Sequence, residues 1–142
     1  MNIFKFYSSE ISSDIGNMGK VVEDILNYLK DLSCIHEECF IFDSKVILNE
    51  LILNAIKHGN KEDRNKTVKI TAALIKNRYL LLQVEDEGDG YNYNPDSNKD
   101  LRCWDDGFLP ENGRGMTIVR CLCDRLKFNK NGNKIAVLKR IV

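Results

Sequence analysis

Apolar positions along the chain change spacing several times, and each change marks an element. Asn2 to Ser8 alternates apolar and polar residues, the period of a strand. Ser12, Ser13 and Asp14 offer N-caps for a helix running to about Leu32, with Val21, Val22, Ile25, Leu26 and Leu29 on one face. A second helix is expected from roughly His36 to His58, with Gly59 placed to stop it. Lys61 to Asn65 is a charged loop. Thr67 to Ile75 and Tyr79 to Glu85 then read as strands of an antiparallel hairpin turning at Lys76-Asn77-Arg78. From Glu87 to Gly113 no period holds, and so long a patternless stretch inside a domain marks a functional lid or a disordered insert. A helix is expected again over Arg114 to Leu126, built on Met116, Ile118, Val119, Leu122 and Leu126. Lys127 to Lys130 and Lys134 to Val142 flank Asn131-Gly132, a type I′ hairpin signal. This order predicts an α+β fold, a two-layer sandwich whose helices cover one face of a mainly antiparallel, mixed sheet.

A length of 142 residues fits a single domain, 1–142, with a real core. Lys and Arg total 21 and Asp and Glu total 21, so net charge gives no basis for a nucleic-acid or anionic-membrane partner. No apolar run is long enough for a bilayer, and the N-terminal residues lack the pattern of a signal peptide. The five cysteines (Cys34, Cys39, Cys103, Cys121 and Cys123) are odd in number and form no Cys-x-x-Cys. Reduced thiols in a cytoplasmic protein are therefore expected, and no structural metal.

Three segments carry candidate chemistry. Glu50 to Gly59 reads Glu-Leu-Ile-Leu-Asn-Ala-Ile-Lys-His-Gly, and at about 100° per residue Glu50, Asn54, Lys57 and His58 fall on one narrow stripe of an otherwise apolar helix. A solvated helix face is broad, so a thin stripe of this kind suits the lining of a pocket. Next, Val84 to Gly90 places Asp86 at the exit of a strand, followed by Gly88 and Gly90. The arrangement is either a tight acidic turn or a place where backbone approaches a flat ligand whose amine meets the acid. Neither a calcium loop nor a dinucleotide fingerprint fits: glycines occupy ligand positions, and Tyr93 stands where a third glycine is needed. Finally, Gly113, Arg114, Gly115 and Met116 lead into a helix, as an anion site does and as a lid hinge does. Trp104 and Phe108 either anchor the long loop in the core or meet a ligand or partner.

In this order the three segments resemble the N, G1 and G2 boxes of the GHKL ATPases, which share the Bergerat ATP-binding fold (histidine kinase-like ATPase domain). The single-domain length and the wording of Glu50 to Gly59 resemble, within that family, the anti-sigma factor serine kinases of the RsbW/SpoIIAB type. The resemblance implies ATP and Mg²⁺ as cofactors. It implies Glu50 as general base on the attacking hydroxyl, Asn54 as Mg²⁺ ligand and Lys57 as phosphate contact, with His58 at the pocket edge as a structural or catalytic imidazole. Asp86 would receive the adenine amine, Gly88 and Gly90 would make room for the purine, and Gly113, Arg114, Gly115 and Met116 would hold phosphates under an ATP lid of roughly 91–113. It further implies a serine/threonine protein kinase that binds a sigma factor and phosphorylates a STAS-domain anti-anti-sigma protein, working as a homodimer, for which the edge strand Asn2 to Ser8 offers a place to pair across a two-fold axis. One departure stands out: relatives often carry Gly-Thr in the last hairpin, but Gly132 is followed by Asn133 and Lys134. The alternatives are a nucleotide-responsive binding module without transferase activity and a purely structural interaction domain.

Overall fold

The computed structural model describes residues 3–32, 35, 37–88 and 114–141, with the side chains of 3–5 and 114 excepted. Strand β1 (Ile3–Ser12) leads through a 3₁₀ turn (Ile15–Asn17) into α1 (Met18–Lys30) and α2 (Glu38–Asn54). A π-helical turn (Ala55–Gly59) ends α2, and β2 (Thr67–Ile75), β3 (Tyr79–Glu85), α3 (Arg114–Leu122), β4 (Arg125–Phe128) and β5 (Lys134–Arg140) follow. The five strands lie in the order β1-β2-β3-β5-β4. Every pairing is antiparallel, so the expected mixed character is absent among the described residues.

The core explains the layers. Val68, Ile70, Ala72 and Leu74 of β2, Leu80, Leu82 and Val84 of β3, and Ile135 and Val137 of β5 are buried beneath the helices. Helix α2 packs between α1 and α3, burying Phe40, Ile47, Leu48, Leu51 and Ile52. A helix apolar on most sides is a central one, and its few polar positions stand out for that reason. Helix α3 is tied down at its C-terminal end by Lys139. The Lys139 ammonium donates to the Leu122 carbonyl at 2.6 Å, lies 3.6 Å from the Asp43 carboxylate and covers the Phe40 ring. A cation there meets the negative end of the helix dipole.

Several expectations need correction. β1 continues to Ser12, because the whole segment from Ser8 to Ser12 pairs with Thr67 to Thr71. Of the three expected caps only Asp14 acts as one, accepting from the Gly16 N–H at 3.0 Å in the 3₁₀ turn. Ser13 is buried and donates to the Lys66 carbonyl instead. Helix α3 stops at Leu122, not Leu126, since Asp124 donates its N–H to Leu138 and residues 125–128 pair with β5. The type I′ signal at Asn131-Gly132 also fails, as only Gly132 has a positive φ (75°). The pair of positive angles that such a turn needs occurs at Lys76 and Asn77, both at 55°, where Arg78 donates to the Ile75 carbonyl.

The expected lid over 91–113 with Trp104 and Phe108, the glycines Gly90 and Gly113, and Cys34 and Cys103 lie outside the described residues. Cys39, Cys121 and Cys123 are free thiols. Burial pushes the Cys123 thiol up to about 11, so it stays protonated and unreactive at neutral pH. Among the described residues no cluster of three metal-ligating side chains occurs, and no helix is long and apolar enough to cross a membrane.

Candidate functional site

The site begins where α2 loses its regular winding. After Asn54 the chain adopts a π turn, in which Asn60 donates its N–H to the Ala55 carbonyl five residues back at 2.8 Å. Such insertions cluster at functional positions because they re-aim the side chains that follow. Here the re-aiming divides the polar stripe. Glu50 and Asn54, one turn apart on α2, remain half-buried, whereas Lys57 and His58 are exposed on the π turn.

Asn54 lines a shallow recess together with Leu51, Ala55 and Gly59 from α2 and its π turn. Val84 and Asp86 close it from β3, and Phe128, Gly132, Asn133, Lys134 and Ile135 from the last hairpin. An apolar recess with one acid and two amides suits a flat heteroaromatic ligand. Gly115, at the start of α3, borders the other end of the site: a Cβ there would meet the Glu50 carboxylate. Glu50 and Asn54 thus bridge an apolar recess and a helix N-terminus. Met116, expected beside phosphates, has its side chain in the core at 2% exposure, which leaves only its backbone for a ligand.

Asp86 is the most constrained group. Its backbone N–H donates to the Asn133 carbonyl at 2.8 Å, and the Asn133 amide donates back to the Asp86 carbonyl at 3.0 Å. Its carboxylate accepts the Gly88 N–H at 2.8 Å. Burial raises the Asp86 carboxyl above the ordinary range, the Gly88 bond opposing the shift and the neighbouring Glu85 adding to it. The next residue, Glu87, is lowered by bonds from the Thr67 N–H and hydroxyl.

Two parts of this arrangement escaped the sequence reading. Gly59 does not end the helix by a positive φ; Gly132 is the one glycine with that backbone among the described residues. Gly59 is required because a Cβ would overlap the Asp86 carboxylate, and a Cβ on Gly88 would overlap the Gly59 carbonyl. The second is Asn133. Its amide is engaged by Asp86 and by Asn129, whose Nδ2 donates to it at 2.7 Å. At Gly132-Asn133 the Asn133 side chain therefore fastens the last hairpin to the backbone of Asp86.

A family model described as a histidine kinase-like ATPase domain matches residues 11–139. The chain belongs to this family. Among similar proteins, a serine-protein kinase RsbW of Bacillus subtilis (strain 168) is 30% identical over 104 residues, covering 70% of this chain and 64% of the relative. An anti-sigma F factor of Shouchella clausii (strain KSM-K16) is 39% identical over 83 residues, covering 58% and 56%. A serine-protein kinase RsbW of Staphylococcus aureus (strain MSSA476) is 27% identical over 107 residues, covering 71% and 66%. The chain therefore spans less than two thirds of the length of each of these relatives. As a histidine kinase-like ATPase domain, it carries its half-buried acid and amide on the central helix and its recessed acid at the end of a central strand.

Proposed function

We propose that this chain is an ATP-dependent serine/threonine protein kinase acting as a cytoplasmic anti-sigma factor, which binds a sigma factor and phosphorylates a STAS-domain anti-anti-sigma protein. The observation that carries the proposal is the half-buried Glu50 and Asn54 pair, one turn apart between the Asp86 recess and the N-terminus of α3. Phosphoryl transfer needs a base near the acceptor hydroxyl, a metal on the phosphates and a fixed nucleotide. In this reading Glu50 takes the hydroxyl proton, Asn54 offers its amide oxygen to Mg²⁺, and Asp86 accepts from the adenine amine. Gly88 and Gly90 admit the purine. Gly113, Arg114, Gly115 and the backbone of Met116 receive the phosphates, and the exposed Lys57 is within the same end of α2 to add a cation. His58 belongs to the rim.

The donor set fits a metal that arrives with the nucleotide. Mg²⁺ is normally held by one or two protein oxygens plus substrate phosphates and waters, and no three-ligand cluster stands among the described residues. The test is transfer of phosphate from Mg-ATP to a cognate STAS domain, with the Glu50→Gln chain as control. Robust Mg-ATP binding without any transfer favours the alternative, a nucleotide-responsive regulatory module.

The buried acid gives a second check. Because the folded state raises Asp86, it holds that proton more tightly than the unfolded chain does. The group therefore contributes a cost that grows as pH rises from the ordinary carboxylate value through the raised one, and that persists above it. Asp86→Asn keeps an oxygen for the Gly88 N–H and removes the charge. The apo variant is expected to melt higher than wild type at neutral pH, the gap closing toward about pH 3, while the stabilisation by millimolar Mg-ATP disappears. A ligand-induced shift equal to that of wild type refutes the assignment of Asp86.

The homodimer is proposed from β1. Among the described residues no strand pairs with its outer edge along ten residues, and Phe6 on its helix-free face is 66% exposed. Size exclusion with light scattering is expected to give twice the chain mass of 16.3 kDa, and a monomer at tens of micromolar overturns it.

A further inference from the structure

Asn60, immediately after the π turn, is 1% exposed, and all of its side-chain polar atoms are used. Its Nδ2 donates to the Ser13 hydroxyl at 2.7 Å and to the Thr67 carbonyl at 2.9 Å. Its Oδ1 accepts the Glu87 N–H at 2.7 Å. One side chain thus joins the end of β1, the start of β2, the end of the π turn and the peptide that follows Asp86. Only an amide supplies two donors and an acceptor in so small a volume.

What this node holds is the carboxylate of the recess. The N–H of Asp86 is gripped by the Asn133 carbonyl just before β5, and the peptide after Asp86 is gripped at its carbonyl by the Asn133 amide and at its N–H by Asn60. Thr67 adds a second hold on the same residue by donating to the Glu87 carboxylate. No polar atom of Asn60 remains to meet a ligand, and Asn60 is not among the residues lining the recess. Its influence on a ligand must pass through the backbone it holds, which is the Asp86–Glu87 peptide and the adjoining Gly59.

We propose that Asn60 is a positioning residue for nucleobase recognition, fixing the Asp86–Glu87 peptide so that the Asp86 carboxylate faces the base. The inference rests on the reading of Asp86 as the acceptor for the adenine amine. A contact that orients the acid affects the base and leaves the phosphate end alone, so its signature is discrimination between bases. GTP, which presents a carbonyl where ATP presents the amine, is the appropriate comparison.

The experiment is calorimetric titration of the full chain with Mg-ATP and with Mg-GTP. The chains are wild type, Asn60→Ala and Asn60→Asp, with Ser44→Ala as a control that loses a buried bond to Phe40 far from the recess. Wild type is expected to prefer ATP. Asn60→Ala should weaken ATP binding about tenfold, the factor that follows from losing one buried orienting bond, and leave GTP unchanged, so the ratio falls with it. Asn60→Asp keeps the acceptor for Glu87 and should retain most of the preference while melting lower. Ser44→Ala should melt lower with its preference intact. If Asn60→Ala loses ATP and GTP equally, or keeps the wild-type ratio, Asn60 is merely structural. Asn60→Asp behaving like Asn60→Ala has the same meaning. A wild-type chain with no preference for ATP removes the adenine reading itself, which is a distinct failure. Should Asn60→Ala not fold, amide exchange in wild type decides. Glu87 N–H is expected to be protected and further slowed by Mg-ATP more than by Mg-GTP, and exchange at the rate of an unstructured amide overturns the proposal.

Discussion

Glu50→Gln should lower the rate of phosphate transfer to a STAS domain by about 10²- to 10⁴-fold, the usual contribution of a positioned general base, while leaving Mg-ATP affinity nearly unchanged. The substitution keeps the length and shape of the side chain and removes only its ability to take a proton. Binding is expected to survive because Glu50 does not line the recess around Asp86 and Asn54. Its carboxylate lies instead against Gly115 at the start of α3. That placement has a corollary: taking a negative charge away from the positive end of α3 cannot weaken the attraction of that end for phosphate. The measurement is single-turnover transfer at saturating Mg-ATP, with affinity determined separately. Unaltered transfer excludes Glu50 as base, and a matched loss of binding and transfer makes it a structural part of the site.

Much of the layer structure was legible because the core strands and helices obey their own periods. Val21, Val22, Ile25, Leu26 and Leu29 repeat at helical spacing and are all buried on α1. β3 alternates in sequence and alternates in burial. The errors fall where two periods agree or where a distant partner decides. Leu122 and Leu126 are four apart, a spacing that suits a helix and also two strand repeats, and pairing of residues 125–128 with β5 selects the strand. Asn131-Gly132 carries the strongest local signal for a two-residue turn. The loop is nevertheless longer, because Asn129 N–H bonds to the Lys134 carbonyl and its side chain accepts from Lys134 N–H.

The site shows the same division. Glu50, Asn54 and Asp86 stood out by chemistry, because polar groups among apolar neighbours are conspicuous in sequence. Lys57 and His58 fall beside them only when a 3.6-residue period is extended across a π turn that no residue in Ala-Ile-Lys-His-Gly announces. Asn60 gave no signal at all. An asparagine after a helix-ending glycine reads as an ordinary turn residue, and its value lies in three partners between 7 and 47 positions away.

Gly88→Ala is the substitution expected to damage fold and site together. Its Cβ would overlap the Gly59 carbonyl, a backbone atom held in the π turn, and would press on the Asp86 carboxylate. Neither can yield easily. Gly59 cannot retreat because its neighbour Asn60 is fastened on both faces, and Asp86 is clamped to Asn133. Overpacking of this kind costs about 1–3 kcal/mol, which for a chain of this size lowers the melting temperature by roughly 3–12 °C. The stronger effect is on the ligand, because the clash is relieved by opening the gap between the π turn and the Asp86–Gly88 turn. That gap is where Asp86 must be exact in position, so stabilisation by Mg-ATP should vanish even at temperatures where the variant is fully folded. Gly19→Ala provides the contrast. Nothing lies within 4 Å of a Cβ at Gly19 in α1, and alanine is better than glycine in a helix by about 0.5–1 kcal/mol. That variant should melt higher and keep the whole Mg-ATP response. Thermal melts with and without millimolar Mg-ATP make both comparisons. A Gly88→Ala chain that responds to Mg-ATP as wild type does would show that the close contact between the two turns is not what shapes the recess.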